Sequence, residues 1–238
     1  MSMFLNQLVN GLHVGSIYAL IALGYTMVYG IVRLINFAHG DLIMVGAYTV
    51  LMCVTMLGLP MFVAVLAAIL VCMTFGITIE RVAYKPLRNA PRISALITAI
   101  GVSFLLANGF QLIFSPNYRP FPNIFPATPF EIGNIRLSLG TVVTIAVVVA
   151  LMILLTLFIQ NTKMGKAMRA VSEDTNAARL MGVNVNTTIS TTFAIGSALA
   201  AVGSLLYCAA YPLVQPLMGS MLGVKAFVAA SRDKDRCW

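Results

Sequence analysis

Residues 137–159 read LSLGTVVTIAVVVALMILLTLFI. The run contains no charged side chain, and a helix needs about 20 apolar residues to cross roughly 30 Å of hydrocarbon. It is also about twice as long as a barrel strand requires, and a helix satisfies its backbone hydrogen bonds internally. This stretch therefore predicts a transmembrane α-helix.

The composition extends that interpretation to the whole chain of 238 residues. Hydrophobic residues make up 60%, charged residues only 9%, and the mean hydropathy is +0.93. These values exclude a water-soluble domain of this length. We predict an all-α, polytopic transmembrane helical bundle with six clear spans and a short partial seventh. The predicted spans are Leu12–Val32, Leu42–Leu59, Met61–Ile79, Ile93–Phe114, Leu137–Ile159 and Ile189–Tyr211.

The C-terminal part changes character abruptly. Residues 217–230 form an apolar segment of 14 residues, which is short for a span, and residues 231–238 then carry five charges in eight positions. One interpretation is a short seventh span with a natural cytoplasmic tail, and the other is a truncated or frame-shifted product. The predicted organisation is one membrane domain over residues 1–230 and an aberrant polar tail over residues 231–238.

The net charge of +8 does not indicate a nucleic-acid partner, because the basic residues lie in short loops beside span ends. Two such loops are separated by two spans, so both can lie on one side, which the positive-inside rule places in the cytoplasm. We therefore predict a multi-pass membrane protein with an external N-terminus, in contact with the lipid bilayer. No basic residue precedes the first span, so a cleaved signal peptide is not expected. The loop cations are Arg81, Lys85, Arg88, Arg92, Lys163, Lys166, Arg169 and Arg179.

A polar segment separates the first two spans. Gly40 permits a sharp break, and Asp41 stands at the positive end of the helix that follows. The segment is either a tight cytoplasmic turn satisfied by its own side chains or an irregular stretch that lines a permeation pathway or gate. The pathway or gate candidates are Asn36, Phe37, His39, Gly40 and Asp41. With only two histidines and no acidic cluster beside them, we predict no metal site and no cofactor.

The segment Ser115–Glu131 is predicted to be external. Five prolines and four aromatic residues alternate in it, which favours a stiff, extended loop over a helix or a central strand. Its aromatic residues either fold back onto the spans or dock an external protein. Small residues at Gly11 and Gly15, and at four-residue intervals from Gly196 in the last span, predict faces where helices approach closely.

The polar interruption between the last two spans, residues 161–186, predicts two short helices. Lys163–Val171 has helical composition, Ser172–Asp174 supplies cap candidates for a second helix, and Gly182 is a natural C-terminal cap. We expect a compact face of small residues that fits a groove on a partner. The alternative is an amphipathic helix that rests on lipid.

Several blocks resemble the branched-chain amino acid ABC-transporter permeases of the LivH type. They are YALIALGYTMVYG at 18–30, INFAHG at 35–40, IERVAYKPLR at 79–88, MGKAMRA at 164–170, AARLMGV at 177–183 and GVKAF at 223–227. The spacing Ala-Ala-x-x-x-Gly is similar to the EAA loop by which such permeases engage their ATPases. Asn176 stands where the general loop has Glu, and members of the family continue with further spans after the last block.

The resemblance implies a permease subunit that translocates branched-chain or related amino acids across the bacterial inner (plasma) membrane. The implied partners are two cytoplasmic ABC ATPase subunits, a second permease subunit and a periplasmic amino-acid-binding protein. The chain carries no Walker A pattern, so it is not predicted to be an enzyme. The implied ATPase-coupling residues are Met164, Gly165, Arg169, Glu173, Asp174, Ala177, Ala178, Met181 and Gly182.

Two other functions stay open at this point. An ion-coupled secondary transporter or channel would need ionisable residues inside the spans, and the predicted spans hold almost none, since Glu80 stands at a boundary. An inactive fragment of a permease would account for the unusual C-terminus.

Overall fold

The computed structural model describes residues 2–32, 36–88, 90–122, 124, 129–132 and 135–232. Helices form nearly all of this part of the chain, which confirms the predicted fold class. They are α1 (Ser2–Val32), α2 (Ala38–Thr55), α3 (Met61–Ile79), α4 (Arg92–Phe114), α5 (Leu139–Asn161), α6 (Lys163–Glu173), α7 (Thr175–Leu180), α8 (Val185–Ala210) and α9 (Met218–Arg232). A π-helical turn, Glu80–Tyr84, and a short 3₁₀ turn, Lys85–Leu87, follow α3.

Six of these helices are long and apolar enough to cross a membrane: α1, α2, α3 with its following turns, α4, α5 and α8. The bounds predicted for α3 are observed, but α2 begins and ends four residues earlier than predicted. Gly58, at φ +60°, and Pro60 end the helix before Leu59. Helix α8 begins at Val185, because the Asn184 side chain accepts a hydrogen bond from the Thr187 amide at 3.2 Å.

Helices α2 and α8 lie at the centre of the bundle, where α8 packs against α1, α2 and α3. Small residues permit these close crossings. A Cβ on Gly196 would lie 3.1 Å from the Gly24 carbonyl oxygen, and one on Gly46 would lie 2.6 Å from the Ser204 hydroxyl. The close approach predicted for this face of α8 is confirmed.

The face that Gly11 and Gly15 were predicted to form on α1 does not pack closely against another helix among the described residues. A Cβ added at Gly11 or at Gly15 would meet no atom within 4 Å in the described part of the chain. This face of α1 is therefore not a packing surface among the described residues.

Helix α9 packs against α1 and α2. Its Gly219 and Gly223 cross Gly40 of α2 with backbone against backbone, and a Cβ on Gly223 would lie 2.9 Å from the Gly40 Cα. The helix continues through Arg232, two residues into the segment predicted as a separate tail. Residues 233–238 of that segment lie outside the described residues.

The segment predicted as an extended loop contains short antiparallel ladders. Strand β1 (Arg119–Pro120) pairs with β4 (Leu213–Val214), and β2 (Pro129–Ile132) pairs with β3 (Ile135–Ser138). Phe121 is buried, whereas Tyr118 is 64% exposed. Residues 123 and 125–128 of this segment lie outside the described part of the chain, as does Arg33 between α1 and α2.

Substituting Gly40 with alanine is expected to destabilise the protein, because the new methyl group would overlap the Gly219 carbonyl oxygen, and backbone cannot rotate away. Overpacking of this kind typically costs about 1–3 kcal/mol. Thermal unfolding of the purified protein in detergent measures the effect. Gly101→Ala on α4 is the matched control, since a Cβ there meets no atom within 4 Å. Equal unfolding midpoints for the two variants would contradict the described crossing.

Candidate functional site

Helix α6 is anchored to the end of α5 by a tight corner. The Thr162 side chain caps α6 by accepting a hydrogen bond from the Gly165 amide at 3.0 Å. A side chain at Gly165 would overlap the backbone of Ile159, so only glycine fits. Met168 and Val171 are buried on the same side. The apolar side of α6 thus lies against the protein and its basic side faces outward, as the row of exposed cations shows: Lys163, Lys166 and Arg169.

Helix α7 follows after a single residue, Asp174, which caps it. The Asp174 carboxylate accepts hydrogen bonds from the amides of Asn176, at 2.7 Å, and Ala177, at 3.1 Å. At the other end Gly182 takes the left-handed conformation, with φ +82°, and its amide donates to the Arg179 carbonyl at 3.1 Å. The predicted pair of short helices, with its N-cap and its C-terminal glycine, is confirmed.

The outward side of α7 differs in part from the expected one. Ala178 is only 4% exposed and faces the protein, whereas Leu180 and Met181 are 89% and 85% exposed. Leu180 and Met181 form a tip, here called the apolar tip, beside Ala177 and Gly182, which are the exposed small residues of this region. Apolar side chains exposed to this degree suit contact with a partner protein or with lipid.

A buried ion pair lies beside the base of α8. Glu80 is fully buried in the π-helical turn and pairs with Arg88. The hydroxyl of Ser190 on α8 donates to the second Glu80 carboxylate oxygen at 2.6 Å, and Arg88 also donates to the Asn186 side chain at 2.5 Å. These bonds tie the corner between α3 and α4 to the first turns of α8.

Tyr84 extends this network to the start of α2. Its hydroxyl donates to the Asn36 side-chain oxygen at 2.9 Å, and its ring lies 5.4 Å from the Phe193 ring on α8. We call this group the polar clamp; it comprises Asn36, Glu80, Tyr84, Arg88, Asn186 and Ser190.

The sequence analysis did not predict the polar clamp. It placed Glu80 at the end of a span, where Glu80 does lie, but it did not predict that the carboxylate is fully buried within the bundle. One signal was available, because Glu80, Tyr84 and Arg88 recur at four-residue intervals, which places such residues on one helix face.

The pathway and gate candidates lie deep in the bundle. The His39 imidazole lies against Gly24 and Gly196, and Gly196 is 11 residues from the first residue of α8 and 14 from the last. At 1.5 Å per residue, these distances are about 16 and 21 Å. Asn36, His39 and Asp41 are buried, while Phe37 is half-buried. The His39 side chain therefore lies near the middle of α8.

The structure brings the predicted site residues into two groups rather than one. The coupling residues lie on α6 and α7 and at their caps, and the pathway candidates lie at the start of α2. Asn36 belongs both to the second group and to the polar clamp, which contacts the base of α8 directly after α7. The polar clamp therefore connects the two groups.

Six long apolar helices around buried polar side chains, with an exposed two-helix connection, are typical of a multi-pass membrane protein. A sequence model of the family described as "Branched-chain amino acid transport system / permease component" matches residues 7–230. The chain belongs to this family, which confirms the resemblance, and its part in such a system is that of a permease and not of an enzyme.

Individual relatives agree with this assignment. The chain is 42% identical over 239 residues to the high-affinity branched-chain amino acid transport system permease protein BraD of Pseudomonas aeruginosa, covering 95% of this chain and 78% of BraD. It is 42% identical over 240 residues to LivH of Escherichia coli strain K12, with the same coverage. A probable LivH of Methanocaldococcus jannaschii is 29% identical over 228 residues, covering 90% of this chain and 69% of that protein. No solved structure matches the chain.

Proposed function

We propose that this permease carries branched-chain amino acids across the bacterial inner membrane as one of two permease subunits, driven by two cytoplasmic ATPase subunits and supplied by a periplasmic binding protein. The N-terminus lies outside, and α6 and α7 lie in the cytoplasm. The observation that carries the proposal is the apolar tip. Leu180 and Met181 project from a doubly capped helix that packs against the spans through Ala178, which suits a surface that a motor subunit pushes.

The described contacts offer a route by which movement of α7 reaches the interior. Helix α7 ends at Leu180 and α8 begins at Val185, so a displacement of α7 acts on the base of α8. The polar clamp joins that base to the corner after α3 through Glu80 and Arg88. The bond from Tyr84 to Asn36 then reaches the start of α2.

In this proposal the start of α2 acts as the gate. Asn36, Phe37, His39, Gly40 and Asp41 change their packing when the spans tip between outward-facing and inward-facing arrangements. Buried polar groups at this depth suit that role, because polar groups inside a membrane are tolerated where they face protein or water. Branched-chain amino acids are proposed as the substrate because the relatives BraD and LivH are permeases of high-affinity branched-chain amino acid transport systems.

Cysteine labelling tests the orientation on which the proposal depends. Met181→Cys is expected to react with a membrane-impermeant thiol reagent only after spheroplasts are permeabilised, whereas Tyr118→Cys is expected to react from outside in intact spheroplasts. Both positions are well exposed, so they form a matched pair. Cys53, Cys72 and Cys208 are buried and Cys237 is replaced by serine, which keeps the background low. Labelling of Met181→Cys from outside would refute an ATPase contact at the apolar tip.

A further inference from the structure

Lys225 on α9 has no role in the transport mechanism proposed above. Lys225 is exposed, and its ammonium nitrogen lies 3.5 Å from the Tyr18 hydroxyl and 5.6 Å from the centroid of the Tyr18 ring. Lys225 forms no salt bridge with a carboxylate of the described residues. Its ammonium is therefore available to an anion from outside this part of the chain.

Lys225 lies at the depth of the bundle centre. Two residues before it, Gly223 packs against Gly40, and two residues after it, the Phe227 ring lies 5.6 Å from the Tyr25 ring. Tyr25 neighbours Gly24, which crosses α8 near its middle. A charge facing hydrocarbon at such depth costs at least about 3 kcal/mol, so this position favours a water-filled pathway over lipid.

The surroundings of Lys225 combine donors with apolar surface. The Tyr18 hydroxyl, which accepts a hydrogen bond from the Lys225 ammonium, can itself donate one to an anion. On α9 the exposed side chains of Met221 and Val224 flank Lys225. A cation, a phenol hydroxyl and an aliphatic surface match a small molecule that bears a carboxylate and an apolar side chain.

We propose that Lys225 and Tyr18 form a binding site for the α-carboxylate of the amino acid in transit, with Met221 and Val224 contacting its aliphatic side chain. The inference rests on the proposed function. A carboxylate side chain of the second permease subunit would offer the same chemistry, so the experiment has to separate these two sources.

The test uses the complete transporter in proteoliposomes, with saturating binding protein and radiolabelled leucine. Lys225→Met is expected to reduce ATP-driven uptake about tenfold or more, the scale for losing a charge-assisted hydrogen bond. Lys225→Arg keeps the cation and is expected to retain most of the uptake. Ser220→Ala is the matched control on α9, because its hydroxyl bonds only the Leu217 carbonyl of its own helix. Unchanged uptake by Lys225→Met would overturn the inference.

Assembly separates the two carboxylate sources. If the ligand is the amino acid, Lys225→Met still co-purifies with the second permease and the ATPases; reduced co-purification in proportion to the lost uptake would assign Lys225 to the subunit interface and overturn the inference. Lys225→Cys is expected to react with a water-soluble, charged thiol reagent and to be protected by leucine, and absence of labelling would also overturn it. If the proposed function itself is wrong, the unsubstituted complex will show no ATP-dependent leucine uptake, which is a different result.

Discussion

The double substitution Leu180→Asp with Met181→Asp is expected to abolish ATP-driven leucine uptake while the permease still folds and inserts. Both side chains are almost fully exposed, so their replacement removes little packing within the subunit. At a contact with an ATPase, two apolar anchors would become desolvated carboxylates. Loss of an interface hot spot typically costs about 2 kcal/mol or more, roughly a 30-fold weakening.

The control for this experiment is the exchange Leu180→Met with Met181→Leu. It keeps the apolar surface of the tip and is expected to leave uptake near that of the unsubstituted protein. Co-purification of the ATPase and uptake into proteoliposomes are measured side by side, and size-exclusion chromatography reports on folding. If uptake by the aspartate variant stays within about twofold of uptake by the unsubstituted protein, the loss is far smaller than the loss of one interface hot spot. The apolar tip is then not the coupling contact.

The second large effect is expected at the polar clamp. Arg88→Met leaves the buried Glu80 carboxylate with only the Ser190 hydroxyl as its described partner. Breaking a buried ion pair by removing one partner costs about 3–5 kcal/mol. Since Arg88 is partly exposed, we expect the lower part of that range. The measured result should be a large drop in folded permease in the membrane and in its thermal midpoint in detergent.

A control substitution of a neighbouring cation and a double variant test whether the effect is specific to the pair of Glu80 and Arg88. Arg81→Met removes a neighbouring exposed cation and is expected to change the midpoint little. Combining Glu80→Gln with Arg88→Met removes both charges, so the double variant is expected to be more stable than the single variant Arg88→Met. A double variant as unstable as the sum of the two single variants would show that Glu80 and Arg88 do not act as a pair.

The membrane spans were predictable where apolar composition and burial coincide. Helix α3 has the predicted bounds because Pro60 precedes it and Glu80 follows its apolar run. Helix α2 was misplaced by four residues at its start because it begins with Ala38-His39-Gly40-Asp41, and hydropathy treats such residues as solvent-exposed. In the structure they are buried by α8 and α9, contacts that a single span does not reveal.

The candidate site was predictable only in its local features. The caps at Asp174 and Gly182 depend on neighbours in sequence, so the two short helices followed from the residues themselves. Which side of α7 faces outward depends on its packing against the protein, so the sequence alone did not predict that Ala178 is buried while Ala177 is exposed. The polar clamp joins Glu80 to Ser190, 110 residues away, and no local pattern specifies such a pairing.

The crossing of α9 over α2 has a mechanical consequence. Gly40, Gly219 and Gly223 meet without side chains, so neither helix inserts knobs into the other at this point. The two backbones can therefore approach more closely here than helices that carry side chains at their crossing. Any side chain larger than that of glycine at these three positions would push α9 away from α2 and alter the angle between the two helices.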